Sequence, residues 1–150
     1  MRYSSREADA EDILQDSFIT VFRKLDTFKA TGPLGGWIRK IAVNTALMHY
    51  RKNKKNQLYA EIEDAGIEVA SNDDVFGAIS AKELMGLIQS LPEGYRMVFN
   101  LYGIEGFKHH EIAKQLSISE GTSKSQYSRA RKMLINKIET EQVLSNERAV

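Results

Sequence analysis

The sequence contains no cysteine, only two prolines and a single tryptophan in 150 residues. Without thiols it can build no disulfide, no thiolate zinc site and no cysteine nucleophile, and a reducing cytosol is its simplest home. No apolar run approaches the roughly 20 residues needed to span a bilayer. The opening MRYSSREADAED turns acidic where a secretory signal would turn apolar, so a cytoplasmic location without direct membrane insertion is expected. The chain also lacks a glycine-rich phosphate loop after a strand, which removes the commonest nucleotide-binding chemistry.

What remains is 42% hydrophobic and 27% charged residues, the composition of a folded, mostly helical chain of one domain or two small ones. The net charge of +1 hides an uneven distribution. Residues 1–57 carry 11 bases against six acids, residues 58–78 six acids and no base, and residues 79–150 ten bases against eight acids. Two basic parts flanking an acidic connector suggest two surfaces aimed at polyanions, although solvated helix faces are commonly charged as well.

Leu14, Phe18, Val21, Phe22 and Leu25 recur at spacings of three and four, predicting an amphipathic helix over residues 9–25 with that stripe in the core. Turn chemistry fills residues 26–36, and helical spacing resumes from Trp37 through Ile38, Ile41, Thr45 and Met48 to Lys55. Residues 58–78 read as a linker. Four helices are expected beyond it: residues 79–89, residues 92–102, a short helix 109–116, and a long one opening at Glu120 or Gly121 and reaching about Ile138. A short helix, a turn at Ser117-Ile118-Ser119 and a longer basic helix match the helix-turn-helix pattern.

At about 100° per residue, Tyr127, Ala130, Leu134 and Ile138 fall on the core side of the last helix. Thr122, Ser125, Arg129, Lys132 and Asn136 fall opposite, with Ser128 beside them and Lys124 and Arg131 on the flank. No acid occurs from Gly121 to Lys137. Such a face can enter a major groove, with arginine and hydroxyl side chains on base edges and flanking cations on phosphates. A solvated basic helix is the plainer reading.

Glu105 to Leu134, EGFKHHEIAKQLSISEGTSKSQYSRARKML, resembles the promoter-binding region 4 of extracytoplasmic-function (ECF) sigma factors, with LPEGYRMVFNLY before it similar to that region's entry helix. DAEDILQDSFITVFRKLDTF and GWIRKIAVNTALMHYRKNKK resemble region 2 of the same family. The resemblance implies an all-α chain of two small helical domains. Residues 1–57 would be a partial region 2, residues 58–78 the linker, residues 79–140 region 4 with its four helices, and residues 141–150 a tail.

The resemblance also assigns faces. Asp12, Gln15, Asp16 and Ile19 would dock on the clamp helices of the largest subunit of core RNA polymerase. The loop bearing Lys29, Thr31 and Gly32 would capture a nucleotide extruded from the −10 promoter element; small residues there allow close backbone approach. Lys40, Asn44 and Arg51 would meet the upstream edge of that element, with Lys52 on phosphate, and Trp37 in the core. Thr122, Lys124, Ser125, Ser128, Arg129, Arg131 and Lys132 would read the −35 element. An anti-sigma factor is the further partner it implies.

Three departures from the family stand out. Leu34 replaces an aromatic residue, Gly35-Gly36 loosens the loop, and Met48 stands where an acid is frequent. Family members also carry further helical sequence upstream, so part of region 2 is expected to be missing. A stand-alone helix-turn-helix regulator binding operator DNA is the alternative, and it would not need the first half. An enzyme is not expected, nor a metal or cofactor: adjacent His109 and His110 diverge on a helix and lack the i, i+4 pair of a zinc protease. Both histidines are expected to approach DNA phosphate or water.

Overall fold

The computed structural model describes residues 2–56 and 79–148. The acidic stretch 58–78 lies outside the described residues. Among these residues the chain is all-α and divides into two compact units. The first is built on α1 (Glu7–Lys24), a 3-10 turn (Leu25–Thr27) and α2 (Leu34–Asn56). The second holds α3 (Ala81–Gln89), α4 (Glu93–Phe99), a π turn (Asn100–Ile104), α5 (His109–Leu116) and α6 (Glu120–Arg148).

In the first unit, α1 buries Ile13, Ser17 and Val21, and α2 buries Val43, Thr45, Ala46, Leu47 and Tyr50. This corrects the stripe expected from periodicity: Leu14, Phe18, Phe22 and Leu25 are exposed, and Val21 alone of that set is buried. The apolar residues of α1 form two adjacent rows, and one packed helix covers only one of them. The row that α2 covers has the small Ser17 at its middle, where helix axes can approach closely. Its hydroxyl is satisfied locally, donating to the Ile13 carbonyl at 2.6 Å, so its burial leaves no unpaired group. The glycine pair also falls differently from the expected turn. Gly35 and Gly36 lie in the first turn of α2, where Gly36 N–H donates to the Pro33 carbonyl.

The second unit closes around Leu87, Ile88, Leu91, Phe99, Ala130, Leu134 and Ile138. Ser80 caps α3 through a reciprocal pair. Its Oγ accepts the Glu83 N–H at 3.3 Å, and Glu83 Oε2 accepts the Ser80 N–H at 2.9 Å, satisfying two donors that a helix start otherwise leaves open. Those bonds hold the Glu83 carboxyl below its usual range. Leu91-Pro92 then ends α3 and opens α4, since proline suits a helix start.

Buried Arg96 locks that corner by donating from Nη1 to the carbonyls of Gln89 and Leu91, each at 2.9 Å. The helix expected to run to Tyr102 is α-helical only to Phe99 and continues as the π turn, with buried Asn100 donating to the Arg96 carbonyl. The last helix exceeds its expected end at Ile138, its backbone staying helical to Arg148 through most of the expected tail. Residues 139–148 are free of proline and glycine, so nothing in their chemistry stops the helix.

Candidate nucleic-acid and protein interfaces

The α5–turn–α6 motif is held by local chemistry. Glu111 Oε2 accepts the Lys108 N–H at 2.7 Å and starts α5. Ser117 ends it in the left-handed region, at φ 55°. Ser119 then caps α6: its Oγ accepts the Thr122 N–H at 2.9 Å and pairs with the Thr122 hydroxyl at 2.8 Å. Ile112, Leu116, Ser123, Ala130 and Leu134 are buried, which fixes the face that α6 turns outward.

Lys124, Lys132 and Asn136 are exposed on α6, while Thr122, Ser125, Ser128, Arg129 and Arg131 are half-buried. Lys124 pairs with Glu120 at 2.8 Å, and this cation keeps the Glu120 carboxyl below its ordinary value. Ser125 Oγ donates to the Thr122 carbonyl at 3.1 Å. Arg129 leans to one side, its Nη1 at 3.5 Å from the Tyr95 hydroxyl. All seven residues expected on this face thus lie along one helix, with Arg129 nearer its flank than its crest.

The two histidines part company. His110 is exposed, but His109 does not stand out toward solvent as expected. Its ring stacks on Tyr102 with centroids 4.1 Å apart and an interplanar angle of 12°, and Nδ1 lies 3.0 Å from Oγ of fully buried Ser123. Tyr127 closes the cluster at 4.5 Å from Tyr102 and 5.9 Å from Phe99. Burial holds the His109 pKa below its ordinary value; Lys124 acts in the same direction and Glu120 against it. Among the described residues, no group of three or more histidine, aspartate or glutamate side chains is placed to hold a metal ion.

In the first unit, Lys40, Asn44, Arg51 and Lys52 are exposed on α2. Met48, 65% exposed, shares the row of Lys40, Asn44 and Arg51, so the polar stripe has an apolar centre. Before α2, Lys29, Thr31 and Gly32 are exposed. Ala30 between them sits at φ 52°, a conformation costly for a residue with a Cβ and often found where a loop serves a ligand. A Cβ at Gly32 would meet nothing within 4 Å, so the backbone is open to approach there. Trp37 is half-buried and packs on Phe28, with centroids 5.4 Å apart.

On α1, Asp12, Gln15, Asp16 and Ile19 are all exposed. Phe18 at 51% and Phe22 at 73% exposure adjoin them, giving a surface of acids beside large apolar groups. The periodicity missed these two rings because it assigned them to the core; the small Ser17 in the neighbouring row was the available signal. Also missed was His49 of α2, whose Nε2 lies 2.7 Å from Asp16 Oδ2.

Residues 1–56 match Sigma-70 region 2, and residues 81–134 match Sigma-70, region 4. The chain is 31% identical over 149 residues to the ECF RNA polymerase sigma-E factor of Haemophilus influenzae, a match spanning 92% of this chain and 78% of that one. The ECF RNA polymerase sigma-E factor of Escherichia coli is 29% identical over 142 residues, 87% and 74% of the two chains. Among solved structures, the sigma factor RpoE in complex with the anti-sigma factor NepR from Bartonella quintana is similar, with 27% identity and a TM-score of 0.51 over 91% of this chain and 86% of that one.

Proposed function

The chain belongs to the ECF group of the sigma-70 family and is a sigma factor directing transcription initiation, and from that premise we propose how its faces divide the work. α1 presents Asp12, Gln15, Asp16 and Ile19 to the clamp helices of core RNA polymerase, with Phe18 and Phe22 extending the contact. Acids would repel phosphate, whereas acids mixed with exposed aromatic rings suit a protein surface. Lys29, Thr31, Gly32, Lys40, Asn44, Arg51 and Lys52 face the −10 element. Thr122, Lys124, Ser125, Ser128, Arg129, Arg131 and Lys132 face the −35 element.

The observation that carries this reading is the segregation of charge between helices. α1 offers acids, while the stretch of α6 from Gly121 to Lys137 has no acid at all. One face is fit for a protein and the other for a polyanion. The protein so read catalyses nothing itself, works in the cytoplasm and takes an anti-sigma factor as inhibitor, in keeping with the complex in which the Bartonella relative was solved. A stand-alone operator-binding regulator would leave the region 2 match without a role.

Run-off transcription with purified core polymerase is the test. Addition of the chain should bring specific initiation at a cognate promoter. Tight operator binding by the free protein, with no stimulation of core enzyme, would support the regulator instead.

A further inference from the structure

Asp16 stands on the exposed side of α1 with its side chain 56% exposed, and His49 reaches it from α2 with its own side chain only 25% exposed. The imidazole is therefore largely enclosed at the seam of the two helices while the carboxylate projects from it. Leu47 and Tyr50, which flank His49 closely in sequence, are buried, as are Ile13 and Ser17 on either side of Asp16 along α1. Both backbones that carry the pair are thus fixed by packing, and the donor is placed on a rigid element.

Nε2–H of His49 donates to Asp16 Oδ2 across 2.7 Å, and this nitrogen carries a proton in one neutral tautomer and in the imidazolium. A carboxylate has about four acceptor positions on its two oxygens, so one bond from His49 orients Asp16 and leaves capacity for a donor on another molecule. Exposed pairs of this kind add little to folding stability. Holding a side chain in one rotamer before association, in contrast, removes part of the ordering cost of binding.

We propose that His49 is a positioning residue for polymerase docking: it holds the Asp16 carboxylate in the orientation in which a cationic or N–H donor on core polymerase meets it. The inference rests on the reading of α1 as the polymerase face and assigns to that face a residue from the neighbouring helix. His49 itself need not touch the polymerase.

The test is a double-mutant cycle on the full chain, titrating core RNA polymerase and reading the dissociation constant. H49F keeps an aromatic ring and removes the donor; it should weaken binding about three- to tenfold. H49Q retains a donor and should restore most of the loss. In an Asp16→Ala background, H49F should change nothing further, because its effect passes through the carboxylate. Equal weakening by H49F with and without Asp16 would mean a merely structural role and overturn the proposal. So would normal binding by H49F when Asp16→Ala binds weakly, although the docking face would then stand. Normal binding by Asp16→Ala would overturn the docking face itself and this inference with it. Should H49F lose its helical circular dichroism, the pair H49A and H49Q closes the same cycle.

Discussion

In the α3–α6 unit Ala130 and Leu134 are fully buried and Ile138 is 1% exposed, whereas α1 leaves Phe18 and Phe22 largely in solvent. The difference follows from the number of surfaces each helix meets. α6 packs against α3, α4 and α5, and its stripe of Ala130, Leu134 and Ile138 is covered. α1 packs on α2 and the 3-10 turn, so its second apolar row stays open among the described residues. Apolar residues at helical spacing therefore serve cohesion in one unit and are available for a partner in the other.

Core truncation should expose that contrast most strongly. Leu134→Ala should cost about 2–5 kcal/mol and speed amide exchange across α3–α6, with Trp37 emission unchanged. Phe22→Ala should shift stability by less than about 0.5 kcal/mol and instead reduce pull-down of core polymerase. Comparable destabilisation by both would erase the distinction between the two units.

A somewhat smaller effect separates the two interfaces. Arg129→Ala should reduce initiation at the cognate promoter by the equivalent of about 1–3 kcal/mol, the range for a lost base contact, while co-purification with core enzyme persists. Asp16→Lys should instead lose co-purification with core enzyme, and initiation with it, while the α3–α6 unit still binds its DNA. If Arg129→Ala abolished polymerase binding, the assignment of faces to α1 and α6 would fail.

Smaller again is the effect of relieving the left-handed turn before α6. Glycine fits φ near +55° without a Cβ clash, so Ser117→Gly should gain up to about 1 kcal/mol in thermal unfolding of the second unit. The corresponding change in the loop before α2, Ala30→Gly, should relax the backbone where a nucleotide is proposed to sit. It should raise stability yet lower the efficiency of promoter melting, measured by permanganate reactivity.

The least pronounced change expected is with pH. His109 is held below its ordinary pKa, chiefly by burial, so the unfolded chain binds the proton more readily than the native one. Stability is then full above about pH 6.5 and declines as pH falls through the lower native value. Melting of the second unit should drop between about pH 7.5 and pH 5.5, and less so in His109→Asn. An equal drop in both proteins would place the titrating group elsewhere.

Much of this architecture was legible in the residues. The bounds of α5 follow directly from its apolar spacing and from turn residues on each side, and the polar face of α6 follows from its single core stripe. α1 was harder because two rows of apolar residues fit a helical period equally well, and only the packed partner decides between them. The π turn was not legible at all: Asn100 is polar and buried through a bond to a backbone carbonyl, a feature with no signature in hydrophobic periodicity. Ala30 likewise carries no mark of its left-handed backbone, since glycine or asparagine is the usual sign. The pairing of Asp16 with His49 spans 33 positions and depends on the register of two helices.

Arg96 has a consequence for how the molecule responds to ionic strength. The corner between α3 and α4 is tied by a cation bonded to neutral backbone carbonyls, with no carboxylate in those bonds. Mobile ions screen exposed charge pairs strongly and buried contacts of this kind much less. The proposed binding of α6 to phosphate, in contrast, would release counterions and weaken steeply as salt rises. A rise in salt would therefore loosen the proposed grip of this unit on DNA well before it loosened the fold, and the same chain would bind again on dilution.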